Sequence, residues 1–417
     1  MLAVWLCAGV VPGVASAQDE PTAREVEVYS EKMKVPKDAA KRHLNALHRG
    51  ARLPDDLRDR LGSDYASEWW DKREGRWKVA AASAEGEAAA RELLRERRLE
   101  AEVDVVRVAR THAQLLSAQL VLQVDLTDLL ERQLVYLKID PSANTAVIVV
   151  HPDADALSRE RVDRAVHRGG GAVESRTGER NAFTVAPSSC TLSPGEGPGA
   201  ASGCYRPLRM GVAVQHQSGS YCTAGAKARD SSGNLFVLTA GHCVVSRTGT
   251  WTAWDTGQPP GYNRRRLGWT SGGIYNQYGD GGRIHVDPSG WWNQVAWPHA
   301  LVSWGYFDYR VLQGKARPAY NQVGCHNGAS SGTQCGYVNG IDVYRCYADN
   351  TCHGNLTEWR DACGLLGDSG GPWAWHYTTF SLHSASSKCY AAKPHVSYSF
   401  DLAHAEYALG VSVLIGQ

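Results

Sequence analysis

Ala362-Cys-Gly-Leu-Leu-Gly-Asp-Ser-Gly-Gly-Pro372 is the stretch on which the reading of this chain turns. Its serine, Ser369, stands among glycines, after an aspartate and near a cysteine. Small neighbours let backbone N–H groups approach the oxygen of a reacting carbonyl, so the segment sets a nucleophilic hydroxyl on a tight loop. Such a hydroxyl needs a base. Leu238-Thr-Ala-Gly-His-Cys243 supplies one, with His242 at the end of an apolar strand beside a cysteine able to tie it to Cys222. A lone histidine there is more often structural, but the serine loop in the same chain reverses that reading.

The flanking sequence divides into two kinds of protein. Residues 18–187 carry 28 Lys/Arg, 30 Asp/Glu and no cysteine, whereas residues 188–417 carry 16, 13 and ten. Ten of the 14 tryptophans also fall in the second part. The net charge of +1 gives no global field toward nucleic acid or an anionic membrane. Residues 1–17 have the pattern of a secretory signal: an apolar run over 2–14, then Ala15-Ser-Ala17 before Gln18. The positive residues that usually precede such a run are missing, which leaves a start upstream of Met1 open. The run is short for a membrane anchor, and no other segment reaches spanning length. Secretion makes the ten later cysteines a disulfide set, with Cys7 lost alongside the signal.

From Gln18 to about Gln123 the chain is rich in Ala, Glu, Arg and Leu, and segments such as Ala88-Ala-Ala-Arg-Glu-Leu-Leu-Arg95 carry strong helix formers with mixed charge. Leu134-Val-Tyr-Leu-Lys-Ile-Asp140 and Thr145-Ala-Val-Ile-Val-Val150 predict a strand pair across Pro141-Ser-Ala-Asn144. A helix over about 156–167, capped by Asp153 or Asp155, and a last strand over 172–175 complete a small α/β domain. His43, His48, His112 and His167 are scattered through it and suggest no site. The Pro/Gly/Ser-rich junction from Asn181 to Gly203 suits an exposed linker, with cleavage expected near residues 185–189.

Residues 204–417 alternate short apolar runs with turn residues, as in Gly211-Val-Ala-Val-Gln215 and Leu235-Phe-Val-Leu-Thr239, which predicts an all-β barrel or sandwich. Its cysteines fall in sequence-local pairs: Cys190 with Cys204, Cys222 with Cys243, Cys325 with Cys335, Cys346 with Cys352, and Cys363 with Cys389. Cys325-His326 and Cys352-His353 raise a zinc site as a rival. No Cys-x-x-Cys knuckle supports it, and no metal or other cofactor is expected.

Together the His242 and Ser369 motifs resemble the chymotrypsin-like serine proteases, in the bacterial secreted streptogrisin and α-lytic branch, over about residues 204–417. The resemblance implies an all-β protease domain of two antiparallel β-barrels over 188–417. Ser369 is then the nucleophile, His242 the general base, and the N–H groups of Gly367 and Ser369 the oxyanion hole. The strand–turn–strand through Asp140-Pro-Ser-Ala-Asn144 resembles the pro-segment of the same branch. It makes residues 18–187 an α/β pro-domain, removed on maturation, that assists folding and inhibits. A permanent N-terminal binding domain is the alternative.

Family order requires an aspartate between His242 and Ser369. Asp280, in Tyr278-Gly-Asp-Gly-Gly-Arg-Ile-His-Val286, fits best, and Asp308 is the runner-up. Arg283 departs from the aliphatic residue usual in that strand, so it must reach solvent or a partner. Asp368 resembles a group that pairs with a basic side chain, and in Val323-Gly-Cys-His-Asn-Gly328 that place holds His326. An Asp368–His326 pair is therefore expected to hold the oxyanion loop.

Ser384-Ala-Ser386 resembles the strand that pairs with substrate backbone. Asp361 suits a basic substrate side chain, a cationic His383 an acidic one, and a medium apolar or aromatic residue remains open. Arg264-Arg-Arg266 is expected in a solvated loop. The function implied is a secreted, extracellular and monomeric serine endopeptidase made as a preproenzyme, acting on polypeptides and binding neither nucleic acid nor, once the signal is gone, membrane. The alternative is a silent binding protein recognising protein or polysaccharide through Trp291, Trp292, Trp373 and Trp375.

Overall fold

The computed structural model describes residues 21–49, 53–178, 188–189, 210–255, 263–289, 301–303, 309–375, 377–387, 389 and 394–415. The signal-like segment, Cys190, Cys204, Asp308, Trp291, Trp292 and nearly all of the junction lie outside them.

The first half holds two small α/β units of one topology. Helices α1 (Ala23–Met33), α2 (Lys37–Arg49) and α3 (Leu53–Leu61) lead into strands β1 (Tyr65–Asp71) and β2 (Arg76–Ala81), then α4 (Ala84–Arg97) and β3 (Val103–Arg107). Local signals start these helices: Thr22 and Glu25 form a capping box on α1, and Ser83 caps α4. β1 and β2 pair antiparallel, and α4 carries the chain across to a parallel β3. Trp70 and Trp77 fill the space between this sheet and its helices.

The second unit repeats the plan. Helices α5 (His112–Asp125) and α6 (Thr127–Glu131) precede a hairpin of β4 (Val135–Asp140) and β5 (Thr145–Val150), then α7 (Ala156–Gly169) and a parallel β6 (Val173–Thr177). The expected hairpin and helix are there, turned by Asp140, which accepts from the N–H groups of Ser142 and Ala143. Asp155 caps α7. Within residues 18–123 the helix-forming segment 88–95 lies in α4, while β1, β2 and β3 are strands that the composition did not announce.

In the second half Ser188–Ser189 (β7) pairs with Ser220 and Tyr221. Strands β8 (Ala213–His216), β9 (Ser220–Thr223), β10 (Ala226–Arg229), β11 (Leu235–Thr239), β12 (Thr250–Asp255), β13 (Asn263–Asn276) and β14 (Gly279–Val286) form one sheet. β9 and β10 are a single bent strand that pairs with β8 at one end and β11 at the other. The ring then closes through β14, β13 and β12 back to β8. The arginine run lies in β13, not in a loop, and Arg266 pairs with Asp287 at 3.1 Å.

After the short strands β15 (Leu301–Ser303), β16 (Tyr309–Val311) and β17 (Gly314–Lys315) comes a second ring. β18 (Val323–Gly328), β19 (Gly332–Cys346), β20 (Cys352–Arg360), β21 (Pro372–Trp375), β22 (Thr378–Ser386) and β23 (Val396–Asp401) close through β18–β19 pairing. α8 (Leu402–Leu409) and β24 (Ser412–Val413) return the chain to β10 of the first barrel. Disulfides join Cys222 to Cys243, Cys325 to Cys335, Cys346 to Cys352 and Cys363 to Cys389.

The halves share backbone hydrogen bonding. β4 lies beside β19, with Ile139 opposite Ile341 and Leu137 opposite Tyr344, so the β4–β5–β6 sheet extends the second barrel. Polar groups seal the seam. Lys138 lies 3.6 Å from the buried Glu358, His112 Nε2 lies 3.1 Å from Asp342, and Trp70 N–H donates to Tyr320 O. Burial pushes the Glu358 carboxyl up, but Lys138, Arg360 and Asn339 outweigh it and hold the group down to about 2.

Candidate active site

β11 delivers its last residues to the seam between the barrels, where the chain turns at Gly241–Cys243 and the Cys243–Cys222 bond pins the turn to β9. Asp280, on β14, is fully buried beneath His242. The His242 backbone N–H donates to Asp280 Oδ1, and its ring Nδ1 donates to Oδ2, both at 2.9 Å. Ser384 Oγ donates to the same Oδ2 at 2.5 Å and lies 3.0 Å from the Tyr347 hydroxyl. Burial pushes the Asp280 carboxyl up, but His242, His353 and Ser384 together hold it down to about 2. A carboxylate can only accept, so the His242 proton sits on Nδ1 and Nε2 carries the lone pair. That nitrogen is buried and bonded to no group among the described residues.

Glycine makes this approach possible. Gly279 has φ +147°, and a Cβ there would strike the Phe400 ring, which packs on the strand beside Asp280. Arg283 finds its partners inside the protein: Nη1 donates to Leu409 O at 2.6 Å, and the guanidinium lies over Phe236.

The serine loop docks on the same barrel. Thr223, next to Cys222, donates its N–H to Ser369 O at 2.8 Å and its hydroxyl to Gly367 O at 2.7 Å. Gly370, at φ +87°, presses so closely on Thr239 and Ala240 that a side chain would collide. Ser369 is thus held against the barrel that carries His242, and it is half-buried. No hydrogen bond joins Ser369 to His242 among the described residues; such bonds often tighten only when substrate binds. The N–H groups of Gly367 and Ser369 donate to no backbone carbonyl there.

The expected Asp368–His326 pair is corrected. Asp368 accepts instead from three amides, those of Ser330 at 2.8 Å, Ser331 at 3.0 Å and Leu365 at 2.7 Å. His326 donates from Nε2 to Cys363 O at 2.8 Å and stacks on His383 with centroids 4.5 Å apart. Amides of the β18–β19 turn take the carboxylate's hydrogen bonds; burial pushes the His326 pKa down while the nearby Asp368 charge pulls it up, so the two groups feel each other without bonding.

His383 departs from the cationic receptor expected of it. It is buried, and its Nδ1 accepts from Trp373 Nε1 at 3.3 Å, which leaves its proton on Nε2. Burial, then the nearby His326 and His242, push its pKa well below the ordinary value despite Asp280. The ring is neutral. Its Nε2 lies beside Gly364, as does the Ser386 hydroxyl. Ser384 spends its side chain on Asp280, so only its backbone remains for a ligand. Asp361 lies on an exposed turn at φ +64° and does not line a buried pocket. Trp373 and Trp375 are buried, which withdraws them from a binding surface.

Sequence reasoning missed Thr223, Tyr275, Tyr347 and His353. Only Cys352-His353 carried a signal, and it pointed to zinc.

No protein-family profile matches the chain, and no curated protein does. Solved structures do. Thermobifida fusca Protease A is 20% identical over 50% of this chain and 98% of its own, with a TM-score of 0.40. A glutamic acid specific serine protease described as using a histidine triad in substrate binding is 23% identical over 49% and 100%, at 0.41. Alpha-lytic protease homolog N4 is 24% identical over 49% and 98%, at 0.39. The architecture is chymotrypsin-like. Two closed barrels, with a His–Asp pair and a serine loop at their seam, state this in the chain's own geometry.

Proposed function

We propose that this protein is a secreted serine endopeptidase made as a preproenzyme. The observation that carries the reading is the His242–Asp280 pair, whose free Nε2 lone pair lies at the seam to which the Ser369 loop is docked. Ser369 Oγ attacks the peptide carbonyl while Nε2 takes its proton, and the imidazolium is stabilised by Asp280. Gly367 and Ser369 N–H groups stabilise the oxyanion, a donor of this kind being worth roughly 3–4 kcal/mol. His242 returns the proton to the leaving amine, and water then hydrolyses the acyl-enzyme by the same route. Substrate backbone pairs with the edge at Ser384–Ser386. The neutral His383 N–H and the Ser386 hydroxyl suit an oxygen-bearing P1 side chain such as Glu.

Residues 18–187 act as folding assistant and inhibitor, a role supported by the shared β4–β19 sheet. The four disulfides among the described residues and the apolar N-terminal run support secretion. A serine-directed phosphonylating reagent tests the chemistry: Ser369 becomes labelled and Ser369→Ala does not. An unlabelled, correctly processed protein overturns the reading in favour of a silent binding protein. Mass-spectrometric analysis of a digested peptide library then reads P1.

A further inference from the structure

Asp280 belongs to the first barrel, yet much of what surrounds it comes from the second. The turn between β13 and β14 that leads into Asp280 is gripped by the tip of the β19–β20 hairpin. His353 Nδ1 lies 3.0 Å from Asn276 O and 3.2 Å from Gly279 O. Both oxygens can only accept, so Nδ1 carries the proton and is shared between them. Gly354 N–H donates to Gln277 O at 3.1 Å, and Asn355 Nδ2 donates to Tyr278 O at 3.1 Å. Four successive carbonyls, 276 to 279, therefore take donors from residues 353–355.

The last of those carbonyls belongs to the peptide that joins Gly279 to Asp280. That peptide also lies at the start of the β13–β14 ladder, with Asn276 opposite Gly279 and Tyr275 opposite Asp280, so the His353 donor acts where the pairing begins. The imidazole is wholly buried, and its flanks are filled by Tyr275 and Tyr347, with centroids 4.4 Å and 4.9 Å away. Tyr275 in turn packs edge-on against His242, centroids 5.7 Å apart, and gives its hydroxyl to Asp349 of the same hairpin tip. Burial pushes the pKa of His353 down against the pull of Asp280, so the ring is a neutral donor.

We infer that His353 is a positioning residue that sets the aim of the Asp280 carboxylate from across the barrel seam, through the carbonyls of Asn276 and Gly279. The inference rests on the peptidase reading only for its effect on rate. It requires His353 to touch no substrate.

The test uses the full chain and two readouts. The downfield proton NMR resonance of the His242 Nδ1–H···Asp280 bond, assigned by its loss in Asp280→Asn, reports the geometry without any activity. His353→Phe, which keeps the ring and removes the donor, is expected to shift or broaden that resonance. It is also expected to lower kcat about tenfold with KM within about twofold. His353→Asn, whose amide nitrogen falls near the place of Nδ1, is expected to restore both. An unmoved resonance with wild-type kcat in His353→Phe overturns the inference. So does an Asn variant no better than Phe, which marks the ring as packing alone. Should the Phe variant fail to fold, His353→Gln carries the donor one bond further out, and an unmoved resonance there overturns it equally. A wild-type chain that shows the resonance but takes no phosphonate label fails the peptidase reading, and the spectroscopic arm still decides the role of His353.

Discussion

Asp280 accepts three hydrogen bonds, and each has a separate origin: the His242 main chain, the His242 ring, and Ser384. Asp280→Asn is expected to retain the fold and lower kcat about 10⁴-fold, because an amide favours the wrong imidazole tautomer. Steady-state kinetics beside a thermal melt checks both halves of that expectation. Ser384→Ala removes one donor and leaves the Tyr347 hydroxyl short of a partner, at a cost of about 1–3 kcal/mol read by denaturant titration. Asp280 also gives stability a pH limb. Its folded pKa of about 2 lies below the ordinary 3.8, so the contribution is complete above about pH 4 and lost as pH falls through 2. Melting temperatures between pH 5 and 2 should fall less steeply in Asp280→Asn than in the wild type. The His242–Asp280 contact was legible because the neighbours of both residues are chemically forced: glycine around Asp280, cysteine beside His242. The Asp368–His326 pair was misread because nothing in sequence marks which backbone amides will turn toward a carboxylate.

Among elements, the β19–β20 hairpin joins functions that its sequence keeps apart. One edge of β19 meets β4, while the tip grips the turn below Asp280 and the Cys346–Cys352 bond closes that tip. Replacing both cysteines with serine is expected to cost about 2 kcal/mol, as for a disulfide closing a very short loop. It should also depress kcat more than an equal destabilisation made elsewhere, as a comparison of melts with kinetics would reveal. β1 shows why the first sheet was not legible in sequence. Tyr65-Ala-Ser-Glu-Trp-Trp-Asp71 holds three ionisable residues, and its Glu68 is buried beside Tyr65 and Arg58. A strand whose charges are satisfied by distant side chains offers no clean alternation. The β4–β5 hairpin was readable because Asp140 and Asn144 mark its turn.

For the whole molecule, the seam between halves is both a β-sheet and an ion-pair layer. Lys138→Met leaves Glu358 with one fewer cation in a buried setting, at a cost of about 1–3 kcal/mol. Residues 18–187 supplied in trans should therefore inhibit the separated second half about tenfold more weakly with that substitution, as measured by progress curves. The contrast in charge and cysteine between the two parts was visible in sequence. The β4–β19 register was not, because pairing between distant strands depends on surfaces that exist only after each half has folded.

That shared seam has a consequence for a second half freed of residues 18–187. Without β4, β19 would be a bare rim of amides and carbonyls, able to recruit any other extended chain, including another copy of itself. Three breaks in its register with β20, at Val338/Gly340, Gly340/Val343 and Val343/Arg345, crumple that rim, and Asp342 and Arg345 set charges along it. A crumpled, charged rim is a poor template. The strand that welcomes its first neighbour so closely is thus built to refuse a second.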